Sequence, residues 1–420
     1  MSFLCGTLLD PLSATECRVV PDVCVTIAGD GRIADVAAGA VAPAGARGGP
    51  GCWILPGFID AHLHMPQWDR RGIDGYSVRQ WQQNVGFPAE ARLHDASVAR
   101  QLAEDFASGL IAHGTTTFVA FGSPFAAEVD QSFEVFARRG LRAVYGMTLN
   151  DIGMPGELTQ ATDAALDQSR QLCAKWHRAE NGRLQYALSP RTSVRCSERL
   201  MRGAAALSDI LQCYIQTHVA ESLEELAEVH EMYSKNVDEV EVFEEAGLLT
   251  PRTLLAHGVF LDRQQRRQVA RRGSAVVHCP TGNLFRESGL MDYVAHREDG
   301  IHIALGSSVA GGPDPFMPRV AVEGLHTAKA IKVHTLPRSS REVPLPAEAW
   351  YMLTKGAAAA LGMADRIGCV APGFQADCLV VRPEKWIADL PPAQQMSALL
   401  YTLGPQQIVD VFVAGKRLER

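Results

Sequence analysis

"IHIALGSSVAGGPDPF", residues 301–316, starts as an apolar, β-branched run and stops at a glycine, which predicts a buried strand followed by a loop. The run closes a series of similar short segments that begins at Cys52. In chain order, the segments are "CWILPGFID", "TTTFVAF", "LRAVYGMTL", "RLQYALS", "CYIQTHV", "TLLAHG", "SAVVHC" and "IHIALGS". Longer stretches with apolar residues at helical spacing separate most of them, so we expect a parallel sheet with crossover helices.

The number and spacing of these segments favour a (β/α)8 barrel, which is usually about 250 residues long. An open, doubly wound sheet is the structural alternative, although no GxGxxG turn opens a strand-to-helix junction. The two chain ends, residues 1–51 and 368–420, carry short Val, Ile and Leu runs separated by glycine and proline. We expect them to combine into one small, β-sandwich-like domain, with the barrel spanning residues 52–367.

The composition is that of an ordinary globular protein. The 420 residues include 47% hydrophobic and 21% charged side chains, and the net charge of -7 gives no reason to expect nucleic acid or an anionic membrane as a partner. Ten scattered cysteines contain no CxxC pair, which argues against a zinc ribbon or a disulfide framework. The start "MSFLCGTLLD" lacks a basic segment, and no window approaches the ~18 apolar residues of a membrane helix. We expect a soluble cytoplasmic protein.

Histidines mark the ends of several predicted strands. "IDAHLHMPQ" places His62 and His64 two residues apart, so both side chains leave the first strand on the same face. His218, His257 and His278 end the fifth, sixth and seventh strands. The carboxyl ends of barrel strands meet at one face, where barrel enzymes carry their chemistry. Converging imidazoles suit zinc, and they suit iron as well.

Glu221 follows His218 by three residues, just past the end of the fifth strand. There its carboxylate could carry protons to and from a water that a metal activates. The alternative is that Glu221 only opens the helix "ESLEELAEVHEMY", where an acid in the first turn is favourable. Both interpretations can hold at once.

Ordered motifs resemble a known family. "LPGFIDAHLHMPQ", "QTHVAES", "LLAHGVFL" and "HCPTGNLFRESGL" resemble the amidohydrolase superfamily. With "GFPAEARL", "MTLND" and "SPRTSVRCSERLM" the chain resembles the guanine deaminases in particular. The resemblance runs from about residue 55 to residue 316 and includes a terminal β domain. It implies zinc-dependent conversion of guanine to xanthine and ammonia in purine catabolism, one metal per subunit and a homodimer.

The resemblance also assigns roles to residues. It implies that the catalytic zinc is bound by His62, His64 and His218. Glu221 would then move protons, and His257 would orient the attacking water or the tetrahedral intermediate. Gln67 and Arg191 align with residues that bind the purine edge, a role that suits an amide and a guanidinium.

The chain departs from the guanine deaminase pattern at two places. Thr192 stands where these enzymes carry an aromatic residue. More importantly, the motif after the eighth strand reads glycine, small residue, aspartate, whereas this chain has Gly306, Ser307 and Ser308. A serine hydroxyl is a poor general base, and losing such a base costs about 100- to 10,000-fold in rate. We do not expect Asp314 to substitute, because the intervening glycine-rich loop is poorly suited to holding a carboxylate in place.

Two hypotheses follow. The first is a zinc-dependent guanine deaminase whose catalysis Ser308 weakens. The second is a catalytically inactive relative that binds a purine or acts as a subunit partner. Within the enzyme class, pterin, 8-oxoguanine, other aminated heterocycles and chlorinated triazines are competing substrates. An aspartate restored at position 308 would raise activity in the first case and create it in the second.

Overall fold

The computed structural model describes residues 1–233, 238–334 and 342–419. Its strands form two sheets, one from the two chain ends and one from the middle of the chain. The strands are β1 (Ser2–Pro11), β2 (Cys17–Ile27), β3 (Ile33–Ala38), β4 (Arg47–Pro56), β5 (Phe58–His64), β6 (Thr115–Phe121), β7 (Arg142–Gly146), β8 (Thr148–Leu149), β9 (Leu184–Pro190), β10 (Tyr214–Val219), β11 (Thr253–His257), β12 (Ala275–His278), β13 (His302–Leu305), β14 (Cys378–Val381), β15 (Ile408–Val413) and β16 (Lys416–Arg417).

Helices connect the central strands and cover them from outside. The α-helices are α1 (Val78–Trp81), α2 (Phe87–Ala91), α3 (Ala96–Ala112), α4 (Ala126–Arg139), α5 (Thr162–Trp176), α6 (Ala179–Gly182), α7 (Glu198–Leu211), α8 (Leu223–Met232), α9 (Glu239–Glu245), α10 (Arg263–Arg272), α11 (Pro280–Phe285), α12 (Tyr293–Glu298), α13 (Met317–His334), α14 (Pro346–Leu353), α15 (Lys355–Ala360) and α16 (Pro392–Thr402). Short 3₁₀ or π turns cover Met65–Arg70, Gln82–Gly86, Arg92–His94, Gly156–Leu158, Lys385–Asp389 and Pro405–Gln407. No described helix is both long and apolar enough to span a bilayer.

The central sheet is the predicted barrel. Strands β5, β6, β7, β9, β10, β11, β12 and β13 lie side by side in chain order, and the assigned pairs are parallel. The last strand returns to the first through the segment that follows β13. There the Ser308 N–H donates to the His62 carbonyl oxygen over 2.8 Å, and the His64 N–H donates to the Val309 carbonyl oxygen over 2.7 Å. The prediction of a (β/α)8 barrel is therefore confirmed, and the open sheet is excluded.

The predicted first barrel strand, "CWILPGFID", is two strands in the structure. β4 ends at Pro56 and pairs with β14, whereas β5 begins at Phe58 and pairs with β6. Gly57 lies between them, and a Cβ atom there would come within 2.2 Å of the Thr116 hydroxyl. Such a close approach accepts only glycine. The interpretation as one strand was wrong, because a continuous apolar run cannot show where the chain changes sheets. We propose that the domain boundary lies at Gly57 rather than after residue 51.

The chain ends form the expected small β domain. Its seven strands make one sheet in the order β16, β15, β14, β4, β1, β2 and β3. The Arg142 guanidinium of the barrel contacts the Asp377 carboxylate over 2.9 Å, and both side chains are buried. The barrel and the terminal sheet therefore share a desolvated ion pair, which fixes the sheet beside the barrel.

Candidate active site

Four buried imidazoles meet at the carboxyl ends of the barrel strands. His62 and His64 come from β5, His218 from β10 and His257 from β11. One ring nitrogen each of His62, His218 and His257 lies within 4.8 Å of the others. The Nε2 atom of His64 lies 3.1 Å from the Nε2 atom of His218. Among the described residues the group that could share an ion includes neither His278 nor His64, and it contains His257 where the predicted ligand set has His64.

The imidazoles are held in the neutral form that metals bind. Burial lowers the pKa of His218 and of His257 to about 3. It also holds the pKa values of His62 and His64 well below the usual range, with further lowering from the neighbouring rings. A neutral imidazole offers a lone pair without first losing a proton, so the cluster suits metal binding at physiological pH.

The Nδ1 atoms of His218 and His257 form hydrogen bonds that orient the Nε2 atoms of these rings towards the middle of the cluster. The Nδ1–H of His218 donates to the Arg191 carbonyl oxygen over 2.8 Å, and that of His257 donates to Asn283 Oδ1 over 2.7 Å. The Nε2 atoms of His62 and His257 are buried and have no hydrogen-bond partner among the residues that the structure describes. Ligand histidines in metal sites are commonly oriented in this way. These donor atoms fit a divalent transition metal.

Glu221 lies beside this cluster, between β10 and α8. Its Oε1 atom is 3.6 Å from His257 Nε2 and 2.5 Å from a guanidinium nitrogen of Arg286. The carboxylate is buried. The structure therefore brings the predicted acid/base residue into the histidine cluster, and it also adds a cation that the sequence analysis did not anticipate.

The two serines after β13 have different environments. The Ser307 hydroxyl donates to Asp60 over 2.5 Å, and burial raises the pKa of Asp60 to about 7. The Ser308 hydroxyl instead accepts from Arg286 over 3.2 Å. Ser307 therefore holds the loop after β13 to Asp60 of strand β5, whereas Ser308 lies beside Arg286 in the site.

Gln67 and Arg191 lie next to each other and share one acid. Gln67 Nε2 donates to Glu90 Oε1 over 3.0 Å, and the Arg191 guanidinium forms an ion pair with the other Glu90 oxygen. Arg191 Nε also donates to Asn150 Oδ1 over 3.1 Å. Both acceptors stand in the quoted motifs "GFPAEARL" and "MTLND", yet the sequence analysis did not single them out. They position the two residues predicted to bind the purine edge.

The remaining two expectations concern Thr192 and Asp314. Thr192 is buried, and in the described part of the chain its hydroxyl has no hydrogen-bond partner, so it places an unpaired polar atom next to Arg191. Asp314 accepts from the Phe316 N–H over 2.9 Å and pairs with Arg319. These contacts bind Asp314 to the start of α13, which agrees with the expectation that it does not replace the missing acid.

A parallel (β/α)8 barrel with clustered imidazoles and a glutamate at the carboxyl ends of its strands has the architecture of a metal-dependent hydrolase. The amidohydrolase family model matches residues 53–418. The chain belongs to this family.

Individual relatives agree with the family. A probable guanine deaminase of Deinococcus radiodurans is 34% identical over 370 residues, which cover 86% of this chain and 82% of that protein. The solved guanine deaminase of Escherichia coli superposes with a TM-score of 0.91 at 25% identity, covering 100% of this chain and 99% of the other. An adenosine deaminase from Xanthomonas campestris, solved with bound zinc, superposes with a TM-score of 0.86 at 25% identity. The match covers 99% of this chain and 92% of the other.

Proposed function

We propose that the protein is an amidohydrolase that deaminates guanine to xanthine and ammonia. The observation that carries the proposal is the joint placement of Glu221 and four neutral imidazoles at the mouth of the barrel. The relatives named above support guanine as the substrate. Zinc in the histidine cluster would supply a Lewis acid that activates water at neutral pH. The zinc in the Xanthomonas enzyme supports that choice of metal, although the ligand types also suit iron.

The residues of this chain then have separate tasks. Glu221 accepts a proton from the attacking water and returns it to the ring nitrogen next to the amino-bearing carbon. Neutral His257, whose Nδ1–H is held by Asn283, accepts through Nε2 a hydrogen bond from the attacking water or from the hydroxyl of the tetrahedral intermediate. The carbon–nitrogen bond then breaks, and a second proton leaves with ammonia. Because Ser308 cannot act as a base, Glu221 carries both transfers in this chain.

The Gln67 and Arg191 pair supports a purine as the ligand. Arg191 uses one N–H on Asn150 and one on Glu90, and its remaining N–H groups are available as donors. A guanine carbonyl oxygen and ring nitrogens are acceptors that match these donors. Thr192 places a buried hydroxyl, without a hydrogen-bond partner among the described residues, where guanine deaminases carry an aromatic ring, so we retain pterin, 8-oxoguanine and triazines as competing substrates.

A second function, a purine-binding protein without catalysis, has its own supporting observation. Glu221 is paired with Arg286, and Ser308 is bonded to the same guanidinium. The carboxylate that would carry protons and the hydroxyl at the position of the missing aspartate are thus both engaged with one cation. A ligand pocket could persist in such a site after the chemistry is lost.

We also propose a homodimer, as the resemblance implies, and a cytoplasmic location, as the sequence composition predicts. Sedimentation of the purified protein and fractionation of cells that express it would test the two statements separately.

Metal removal is the first test of the catalytic proposal. Protein loaded with zinc should release ammonia and xanthine from guanine in equal amounts. The activity should disappear after treatment with a chelator and return when zinc is added. Turnover that survives verified removal of metal would contradict the mechanism. If a sample shown to contain zinc releases neither ammonia nor xanthine, the second function, a purine-binding protein without catalysis, would be favoured.

Arg191→Lys should raise KM for guanine about 10- to 100-fold and leave kcat within about threefold. A lysine keeps the charge but loses the planar fork, and a hydrogen bond to a charged group contributes roughly 1.5–3 kcal/mol. Arg195→Lys is the matched control, because Arg195 lies in the same motif and pairs with Glu228. Steady-state kinetics of both variants measure the difference. Equal effects of the two substitutions would remove Arg191 from the binding site.

A further inference from the structure

Arg286 is a buried cation in the centre of the site. It is the residue that caps the end of α11, and only 5% of it is exposed. Its guanidinium contacts Glu221 Oε1 over 2.5 Å and donates to the Ser308 hydroxyl over 3.2 Å. Burying a guanidinium costs several kcal/mol unless it is paired, so these contacts keep it in place. The motif "HCPTGNLFRESGL" gave no indication that this arginine points inward.

Two glycines leave the space that the guanidinium and Ser308 occupy, and an aromatic ring lies near the guanidinium. A Cβ atom on Gly311 would come within 2.5 Å of the Arg286 guanidinium carbon, and one on Gly282 would come within 2.8 Å of Ser308 Cβ. The Trp81 ring centre lies 6.0 Å from the guanidinium carbon. The space between α11 and the loop after β13 therefore fits this side chain and this serine together.

The charges of the site balance without a metal. Glu221 contributes one negative charge, Arg286 one positive charge, and Ser308 none. The four imidazoles are neutral. A divalent ion added to this set leaves a net charge of two positive units in a buried place, because the single negative charge of Glu221 already balances the guanidinium 2.5 Å from it. The guanidinium and an ion in the histidine cluster would carry like charges, and like charges that lie close together repel strongly when water is excluded.

We infer that Arg286 is a resident cation whose charge opposes that of a divalent metal and so weakens metal binding by the histidine cluster. Ser308 belongs to the same arrangement, because a hydroxyl accepts from the guanidinium without adding negative charge. Arg286 is thus a positioning residue that sets metal affinity. This inference concerns metal binding alone, so it stands or falls independently of guanine as the substrate.

Zinc affinity without substrate tests the inference. Arg286→Met removes the charge and keeps most of the side-chain length. We expect it to bind zinc about 10- to 100-fold more tightly than the wild type, measured by competition with a fluorescent zinc chelator. Arg286→Lys keeps the charge and should stay near the wild-type affinity. Tighter binding by Arg286→Lys to the same degree would overturn the argument, because guanidinium shape rather than charge would then be responsible.

Two further variants keep the test decisive if Arg286→Met fails to fold. Glu221→Gln combined with Arg286→Met removes both charges and should bind zinc with nearly the wild-type affinity. Ser308→Asp adds a negative charge on the other side of the guanidinium and should tighten zinc binding by a comparable factor. If neither Arg286→Met nor Ser308→Asp binds zinc more tightly than the wild type, the inference is wrong.

Discussion

Ser308→Asp should raise kcat for guanine deamination by about 10²- to 10⁴-fold, the usual contribution of a positioned general base. The backbone favours this change, because Ser308 has a φ of +53° and aspartate tolerates that left-handed region better than most residues. The side chain already faces the site next to Arg286. Ammonia and xanthine release at saturating guanine and zinc measures the effect.

Ser308→Asn is the matched control for this prediction. Asparagine has the size and the backbone tolerance of aspartate but cannot accept a proton as a base. It should therefore remain near the wild-type rate. If the wild type has no measurable rate and Ser308→Asp has one, the protein is an inactive relative. If the wild type is slow and Ser308→Asp is faster, the protein is a weakened enzyme. No gain at all would contradict both hypotheses and indicate a different substrate.

Local patterns in the sequence predicted most of the barrel and most of its site. Each of the eight apolar runs contains a barrel strand, although the first and the third are each divided between two strands, and histidines near the ends of the first, fifth and sixth barrel strands lie together. This succeeded because strand ends in a parallel barrel share one face, so position along the chain translates directly into position in space. The roles of the individual side chains stay predictions, among them His64 as a metal ligand and Gln67 as a purine contact.

The sequence analysis missed features that depend on long-range packing. Arg286 reads as an ordinary loop arginine, and its burial depends on Glu221, Ser308 and Gly311, which come from other parts of the chain. Glu90 likewise reads as a helical surface acid until the fold places Gln67 and Arg191 beside it. A buried ion pair leaves no periodic signal, because each partner is specified only by the other.

Glu221→Gln should abolish most of the remaining turnover, with a loss of about 10²- to 10⁴-fold in kcat. The amide has nearly the shape of the carboxylate but cannot carry a proton between water and the purine. Ser308 cannot act as a base, and Asp60, which accepts from the His62 N–H, is already held by the Ser307 hydroxyl and N–H. The loss is measured as ammonia release by the wild type and the variant, because an aspartate at position 308 would take over part of the proton transfer.

The substitution also leaves Arg286 buried without its anionic partner, which by itself costs about 3–5 kcal/mol of stability. A lost rate could therefore reflect a damaged fold, and the variant that combines Glu221→Gln with Arg286→Met separates the two causes. Removing both charges should restore the melting temperature and leave the rate low, if Glu221 carries the protons. Should the double variant recover the rate together with the stability, Glu221 would be only a counterion for Arg286, and proton transfer would have to be assigned to another group.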